Sequence, residues 1–272
     1  MLADYHMHCS PYSPDARDSM EEMARGALRR GMTHICVTNH MENCTQSPEF
    51  PDQFPPFEDW EALASEHQAV RERFRGRLDV RLGAEVGAPH YLPEEGARIY
   101  ARPELDFVIG SVHNLRHARD FYYLSYPEDF ENFRPAVEQY LDEYILMSRS
   151  GLCDVLGHIG YMQKYMARQG KGFDMMTFEE RLRALFASCV DQGVGIEVNT
   201  AALSDKLGDF LPQPEVVRLY RECGGEIITV GSDSHRAQDA GQGVKEGYEL
   251  LRSLGFKYVC LYQGHKPEFV RI

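Results

Sequence analysis

Seven short apolar runs, each ending in or soon followed by a histidine or a carboxylate, constrain this 272-residue chain more than any other feature. The runs fall at residues 2–6, 34–38, 80–85, 107–111, 154–157, 195–198 and 227–231, and a further short one lies at 258–261. Runs of this length, rich in Val and Ile, suit strands buried on both faces. Longer polar segments of helical period separate them, at 19–30, 57–75, 130–150, 177–192, 214–222 and 241–254. Strand and helix in alternation predict βα units around a parallel sheet, an α/β fold closed into a TIM-like barrel.

Local punctuation supports the same division. Gly31, Gly76, Gly151, Gly193, Gly224 and Gly255 stand where helices should stop, because glycine adopts the left-handed conformation of a C-cap at little cost. Ser19 with Glu22, and Thr177 with Glu180, have the spacing of capping boxes at helix starts. No repeat or long linker divides the chain, and the Pro-rich segment 47–56 is expected to be a loop over one barrel face. One domain, residues 1–272, is expected.

The ligand-type side chains fall at the strand ends. His6 and His8 end the first run, His40 follows the second, Glu85 ends the third, and His113 follows the fourth. His158 follows the fifth, Glu197 and Asn199 end the sixth, and Asp233 and His235 follow the seventh. In a parallel barrel those ends converge on one mouth, where such folds place their chemistry. His6 and His8, two apart on a strand, point to the same side and can share a metal ion. Glu85 would face the barrel axis, a costly place for a carboxylate unless it is paired or metal-bound. A bridge between two metals is the preferred role, and a buried ion pair with Arg81 is the competing one. Asp15, in the polar loop after the first run, is a further oxygen ligand or proton carrier. His67, His90, His117 and His265 fall outside the pattern and are expected at the surface.

Composition narrows the partners. A formal net charge of −13 with no dense basic block disfavours nucleic-acid binding, while bound metal ions would supply positive charge locally for a phosphorylated small molecule. No run approaches the ~18–20 apolar residues of a membrane span, and no signal-like pattern opens the chain. Seven scattered cysteines without a C-x-x-C pair fit reduced thiols. A cytoplasmic protein is expected.

Asp4-Tyr-His-Met-His8, Asp15, Thr38-Asn-His40, Gly83-Ala-Glu85, Gly110-Ser-Val-His113, Gly157-His158 and Ser232-Asp-Ser-His235 together resemble the PHP (polymerase and histidinol phosphatase) family, and within it the stand-alone histidinol-phosphatase branch. The resemblance implies a distorted (β/α)7 barrel with a trinuclear site. His6, His8, Glu85 and Asp233 would hold one ion, Glu85, His113 and His158 a second, and Asp15, His40 and His235 a third. The mixed nitrogen and oxygen ligands suit two to three ions of Zn, Mn or Fe.

The implied reaction is hydrolysis of L-histidinol phosphate in histidine biosynthesis, releasing inorganic phosphate. Glu85 would bridge the metals that activate water, and Asp15 or His235 would stabilise or protonate the leaving group. Three departures concern the substrate. Asn39 replaces the family's usual Asp before the ligand histidine. Gly160 stands where an Asp is common, and Ser204 and Asp205 occupy the neighbourhood of a phosphate-holding Arg. Lys164, Arg168 and Lys206 are then the candidate phosphate-binding cations. Another small phosphate, such as a nucleotide or sugar phosphate, is the alternative substrate, and a non-catalytic metal-binding barrel the alternative class.

Overall fold

A computed structural model describes residues 1–46, 49 and 54–272. The loop expected at 47–56 lies largely outside the described residues. The described residues form a seven-stranded parallel sheet in sequential order, β1 (Ala3–Asp4), β2 (His34–Met41), β3 (Asp79–Gly87), β4 (Phe107–Ser111), β5 (Val155–Leu156), β6 (Gly195–Asn199) and β7 (Ile228–Gly231). The ring closes where the Tyr5 amide donates to the Val230 carbonyl at 2.9 Å and Met7 bridges Ser234. This is the distorted seven-stranded barrel expected, with β1 and β5 reduced to two residues each.

Helices α1 (Met20–Arg29), α2 (Trp60–Phe74), α3 (Pro93–Tyr100), α4 (Arg134–Ser148), α5 (Tyr161–Arg168), α6 (Glu179–Gln192), α7 (Pro214–Glu222) and α8 (Val244–Ser253) cover the outside. The Ser19 capping box on α1 is present. The one expected at Thr177 is not. Asp174 caps a short 3-10 turn over Met175–Phe178 instead, and α6 begins at Glu179 without a side-chain cap.

The eighth apolar run is a strand, β8 (Tyr258–Gln263), but not a barrel strand: it pairs antiparallel with β9 (Lys266–Arg271). The hairpin plugs the N-terminal end of the barrel. Cys260, Leu261 and Tyr262 pack with the inward-facing Tyr5, Cys36, Phe107, Ile109 and Val155 in a core cluster of their own. Tyr262 and Phe107 rings lie 4.7 Å apart. With the floor filled by aromatic side chains, the open mouth is left to the C-terminal strand ends. No helix among the described residues is long and apolar enough to cross a membrane.

Register sets the mouth. In the β2–β3 ladder His40 is opposite Glu85 and Thr38 opposite Gly83, so alternation along both strands turns His40 and Glu85 to the same side. A Cβ at Gly231 would stand 2.3 Å from both Glu197 Oε1 and the His6 Cβ. Only glycine lets β7 pass close enough for Glu197 to reach His6.

Candidate metal centre

Four of the six histidines at the mouth, His6, His8, His113 and His235, are held by Nδ1 and present Nε2, while Nδ1 of His40 and of His158 has no hydrogen bond among the described residues. His6 Nδ1 lies 2.7 Å from Glu197 Oε1, and His113 Nδ1 lies 2.9 Å from Glu42 Oε1. His235 Nδ1 lies 3.0 Å from the Asp233 carbonyl. A carboxylate or carbonyl can only accept, so each of these Nδ1 atoms carries a proton, and in the neutral ring that binds a metal each Nε2 carries a lone pair. For His8 the partner is Ser13 Oγ at 3.3 Å. That hydroxyl donates to Asn39 Oδ1 at 3.0 Å and accepts from the His40 amide, so its one hydrogen is used and His8 Nδ1 must donate. The result is a set of Nε2 lone pairs aimed at a common space.

They meet there at short range. His6 and His8 Nε2 are 3.1 Å apart, His113 and His158 Nε2 3.3 Å, and His40 and His235 Nε2 3.5 Å. Imidazole nitrogens bound ~2.0–2.1 Å from one tetrahedral ion stand about 3.3–3.4 Å apart, so these pairs have the separation of ligands on a shared ion. Two facing lone pairs are repulsive unless a positive charge lies between them. The donor set and its spacing therefore fit a divalent metal.

Glu85, fully buried, sits at the centre. Its Oε1 lies 2.7 Å from His158 Nε2 and 3.2 Å from His113 Nε2, and its Oε2 lies 3.5 and 3.7 Å from the Nε2 atoms of His6 and His8. His40 Nδ1 approaches Oε2 to 2.8 Å, yet neither atom has the alignment of a hydrogen bond. Asp233 Oδ1 lies 3.1 Å from His8 Nε2 and 3.5 Å from His6 Nε2. Asp233 has a left-handed backbone (φ 51°), fixed by its amide on the His6 carbonyl at 2.7 Å and by Asp4, which accepts from the Ser232 amide and hydroxyl. Asp15 Oδ2 is 3.0 Å from His235 Nε2 and 3.7 Å from His40 Nε2. Among the described residues, four groups of ligand atoms lie within 4.8 Å of one another: His6/His8/Asp233, His6/Glu85/His158, His8/His40/His235 and His40/Glu42/His113.

The electrostatics describe a site that demands positive charge. Burial opposes charge on His6, His40 and His113, but the nearby carboxylates outweigh it: His40 is pushed up to about 10, and His6 and His113 well above the usual range. Burial raises Glu85 and Asp233 as well, yet the surrounding imidazoles hold both well below the carboxylate range. His8 behaves oppositely. Burial and its neighbours His40 and His235 lower it to about 3, which keeps it neutral.

All nine expected ligands, His6, His8, Asp15, His40, Glu85, His113, His158, Asp233 and His235, gather at this mouth. Glu85 does not pair with Arg81, whose guanidinium serves Asp79 and Asp106 at the other end of β3. Glu197 is read from the sequence only as a carboxylate ending the sixth run, and Glu42 is not among the residues the sequence singles out. Each holds the far nitrogen of a histidine, and Glu42 lies one residue past β2 where strand-end position alone was the available signal.

Two outlying histidines are not at the surface. His67 is 8% exposed with Nε2 on the Val80 carbonyl at 3.0 Å, because α2 packs its inner face on β3. His90 pairs with Glu143 at 2.8 Å, its side chain 7% exposed. His265 is half-buried against Asp154, and only His117 of the four stands exposed.

A cavity of about 370 Å³ opens beside the centre, lined by residues that include Asp15, His40, His113, His235, Asp120, Tyr161, Lys164 and Arg168. Its size suits a small metabolite. Lys206 is exposed and does not line it. Arg168 lines it with its guanidinium already bidentate on Asp205 at 3.0 and 2.6 Å, so Lys164 remains as the cation without an ion-pair partner among the described residues. Gly160 has a left-handed backbone (φ 98°) that an L side chain rarely adopts, so the Asp common at this place in the family is disfavoured in this loop. Cys9, beside His8, is buried and held up to about 12 by burial, an inert thiol rather than a ligand.

A ring of parallel strands with imidazoles and carboxylates gathered at one mouth is the architecture of metal-centred barrel hydrolases. The chain belongs to the PHP domain family, which it matches over residues 4–201. It is 30% identical over 271 residues to a Deinococcus radiodurans protein named "Probable histidinol-phosphatase", with 95% of each chain covered. The histidinol-phosphatase of Lactococcus lactis is 22% identical, covering 97% of this chain and 95% of its own. A crystal structure of histidinol phosphate phosphatase from Lactococcus lactis, complexed with Zn, L-histidinol and phosphate, has the same fold, with a TM-score of 0.80 over 98% of both chains.

Proposed function

We propose that this chain is a metal-dependent phosphomonoester hydrolase that releases inorganic phosphate from L-histidinol phosphate, acting as one unit over residues 1–272 in the cytoplasm. The observation that carries the reading is Glu85, whose two oxygens face two different pairs of imidazole Nε2 atoms. His6, His8, Glu85 and Asp233 would hold one ion, Glu85, His113 and His158 a second, and Asp15, His40 and His235 a third. The ions are of the Zn, Mn or Fe type. When bound, they supply the charge that receives the phosphoryl oxygens and the acidity that makes water a nucleophile at neutral pH.

The chain's own residues do the rest. Glu197, Glu42, Ser13 and the Asp233 carbonyl fix four imidazoles in the tautomer that presents Nε2. Lys164, projecting into the cavity from α5, attracts the phosphate dianion. Asp15 and His235 stand at the open side, where the alkoxide departs. Burial raises Asp15, but hydrogen bonds from His235 and His40 outweigh it and keep the carboxylate ionised well below its usual range. Asp15 and His235 would hold the third ion at that side, and its charge, rather than a proton from either residue, would stabilise the leaving oxygen.

The test is phosphate release from a panel of histidinol phosphate, nucleoside monophosphates, sugar phosphates and a phosphodiester by metal-replete protein. Histidinol phosphate is expected to have the highest kcat/KM. Another phosphomonoester at least about tenfold better would replace the substrate while leaving the hydrolase reading intact. The alternative of another small phosphate is favoured by one observation, the engagement of Arg168 by Asp205, which leaves few cations of the family's kind for the phosphate.

A further inference from the structure

We infer that Asp120 is the specificity residue of this site, the carboxylate that receives the ammonium group of the substrate; this rests on the amino-alcohol phosphate reading above. Three carboxylates line the cavity among the described residues: Asp15, Glu42 and Asp120. Asp15 is taken by His235 and His40. Glu42 is taken by His113 through one oxygen and by the Thr45 hydroxyl, at 2.7 Å, through the other. Asp120 alone has no ion pair among the described residues. Its Oδ1 accepts from the Tyr122 amide at 2.7 Å and from the Tyr161 hydroxyl at a long 3.5 Å, and its Oδ2 has no hydrogen-bond partner among the described residues.

Its position is that of a substrate-end contact. The Tyr161 ring packs on His113 and His158, centroids 4.8 and 4.9 Å apart, while its hydroxyl points to Asp120. Asp120 thus stands one tyrosine length beyond the imidazoles that face the phosphate. The His113 carbonyl accepts from the Phe121 amide at 2.9 Å, which ties the loop carrying Asp120 to the end of β4. Tyr122, Tyr123 and Tyr165 line the same wall, and aromatic faces favour a cation or a flat ring between them. Lys164 lines the same cavity but forms no ion pair with Asp120 among the described residues. A carboxylate with spare acceptor capacity on an aromatic wall selects a cationic nitrogen and leaves a neutral chain unrewarded. The Asp absent from position 160 is thereby replaced from a different loop.

The experiment compares kcat/KM of the metal-replete full chain for histidinol phosphate and for glycerol phosphate, which lacks a cation, in wild type, Asp120→Asn and Asp120→Glu. Asn keeps the Oδ1 acceptor for the Tyr122 amide, so the turn is retained. The selectivity ratio is expected to fall about thirtyfold or more in Asp120→Asn, mainly through KM for histidinol phosphate, and to recover in part in Asp120→Glu. L-Histidinol as an inhibitor should weaken in parallel. An unchanged ratio, whether both activities fall together or neither moves, overturns the assignment of Asp120. A wild type with no preference for histidinol phosphate overturns the substrate reading itself, a result visible before any variant is made.

Discussion

At the floor of the barrel Asp154 accepts from His265 Nδ1 at 2.9 Å, from the Val108 amide at 2.7 Å and from the Tyr100 hydroxyl at 2.9 Å. At the mouth, Glu85 and Asp233 face six imidazoles whose inward nitrogens crowd one another at 3.1–3.5 Å. Both places are buried and both join histidine to carboxylate. At the floor each of these three donors finds a carboxylate oxygen, and the cluster pins the β8–β9 hairpin under the barrel. At the mouth lone pairs are in excess, and hydrogen bonding alone leaves them opposed. The surplus, rather than the residue types, marks a metal centre.

The largest effect that would break this contrast is at Glu85. Glu85→Gln is expected to lower turnover by about three orders of magnitude or more, since one change weakens two ion sites whose joint charge activates water. Near-normal turnover with full metal content would reduce Glu85 to a structural role. The floor should respond in stability instead. Asp154→Ala strands three donors and is expected to cost about 3 kcal/mol by thermal or denaturant unfolding, with bound metal and KM unaltered. Loss of metal from that variant would mean the two ends are not independent.

Smaller is the expected effect of Lys164→Ala, about tenfold in KM with kcat retained, as for a group that binds ground and transition states alike. Lys206→Ala, outside the cavity, should leave both constants as they were. Smallest is a pH effect at His67, away from both clusters. Burial lowers its proton affinity in the folded chain, while the unfolded chain protonates near its ordinary value of about 6.5. Below that pH the unfolded state binds the extra proton, so stability falls as pH falls, by at most ~1.4 kcal/mol per pH unit. Unfolding of His67→Gln between pH 5 and 7 should show a shallower slope, and an unchanged slope would show that His67 does not titrate with folding.

The barrel and the gathering of histidines and carboxylates at its mouth were legible because strand ends converge: side chains at the ends of successive parallel strands must meet there. Helices α3 and α5 were not, being eight residues each, too short for a periodic pattern to stand out. Gly96 further disguised α3. The residues that orient the imidazoles, Glu42, Glu197 and Ser13, look in sequence like any polar strand-end or loop residue, and only the fold pairs them with a ring. Asp120 reaches the mouth by a loop that doubles back to β4, and Lys206 leaves it because Asp205 turns inward toward Arg168. Thr177 failed as a cap because Asp174 had already taken that role one turn earlier. Charge spacing along the chain carries none of these outcomes.

The most direct test of the surplus of lone pairs at the mouth is elemental analysis of the full chain, purified without chelator, alongside its activity. Occupancy of about two to three transition-metal ions per chain is predicted, with ions and phosphate release lost together on chelation and restored together on reloading. Fewer than about one ion per chain under metal-replete conditions, or phosphate release that survives complete removal of the ions, would contradict the account.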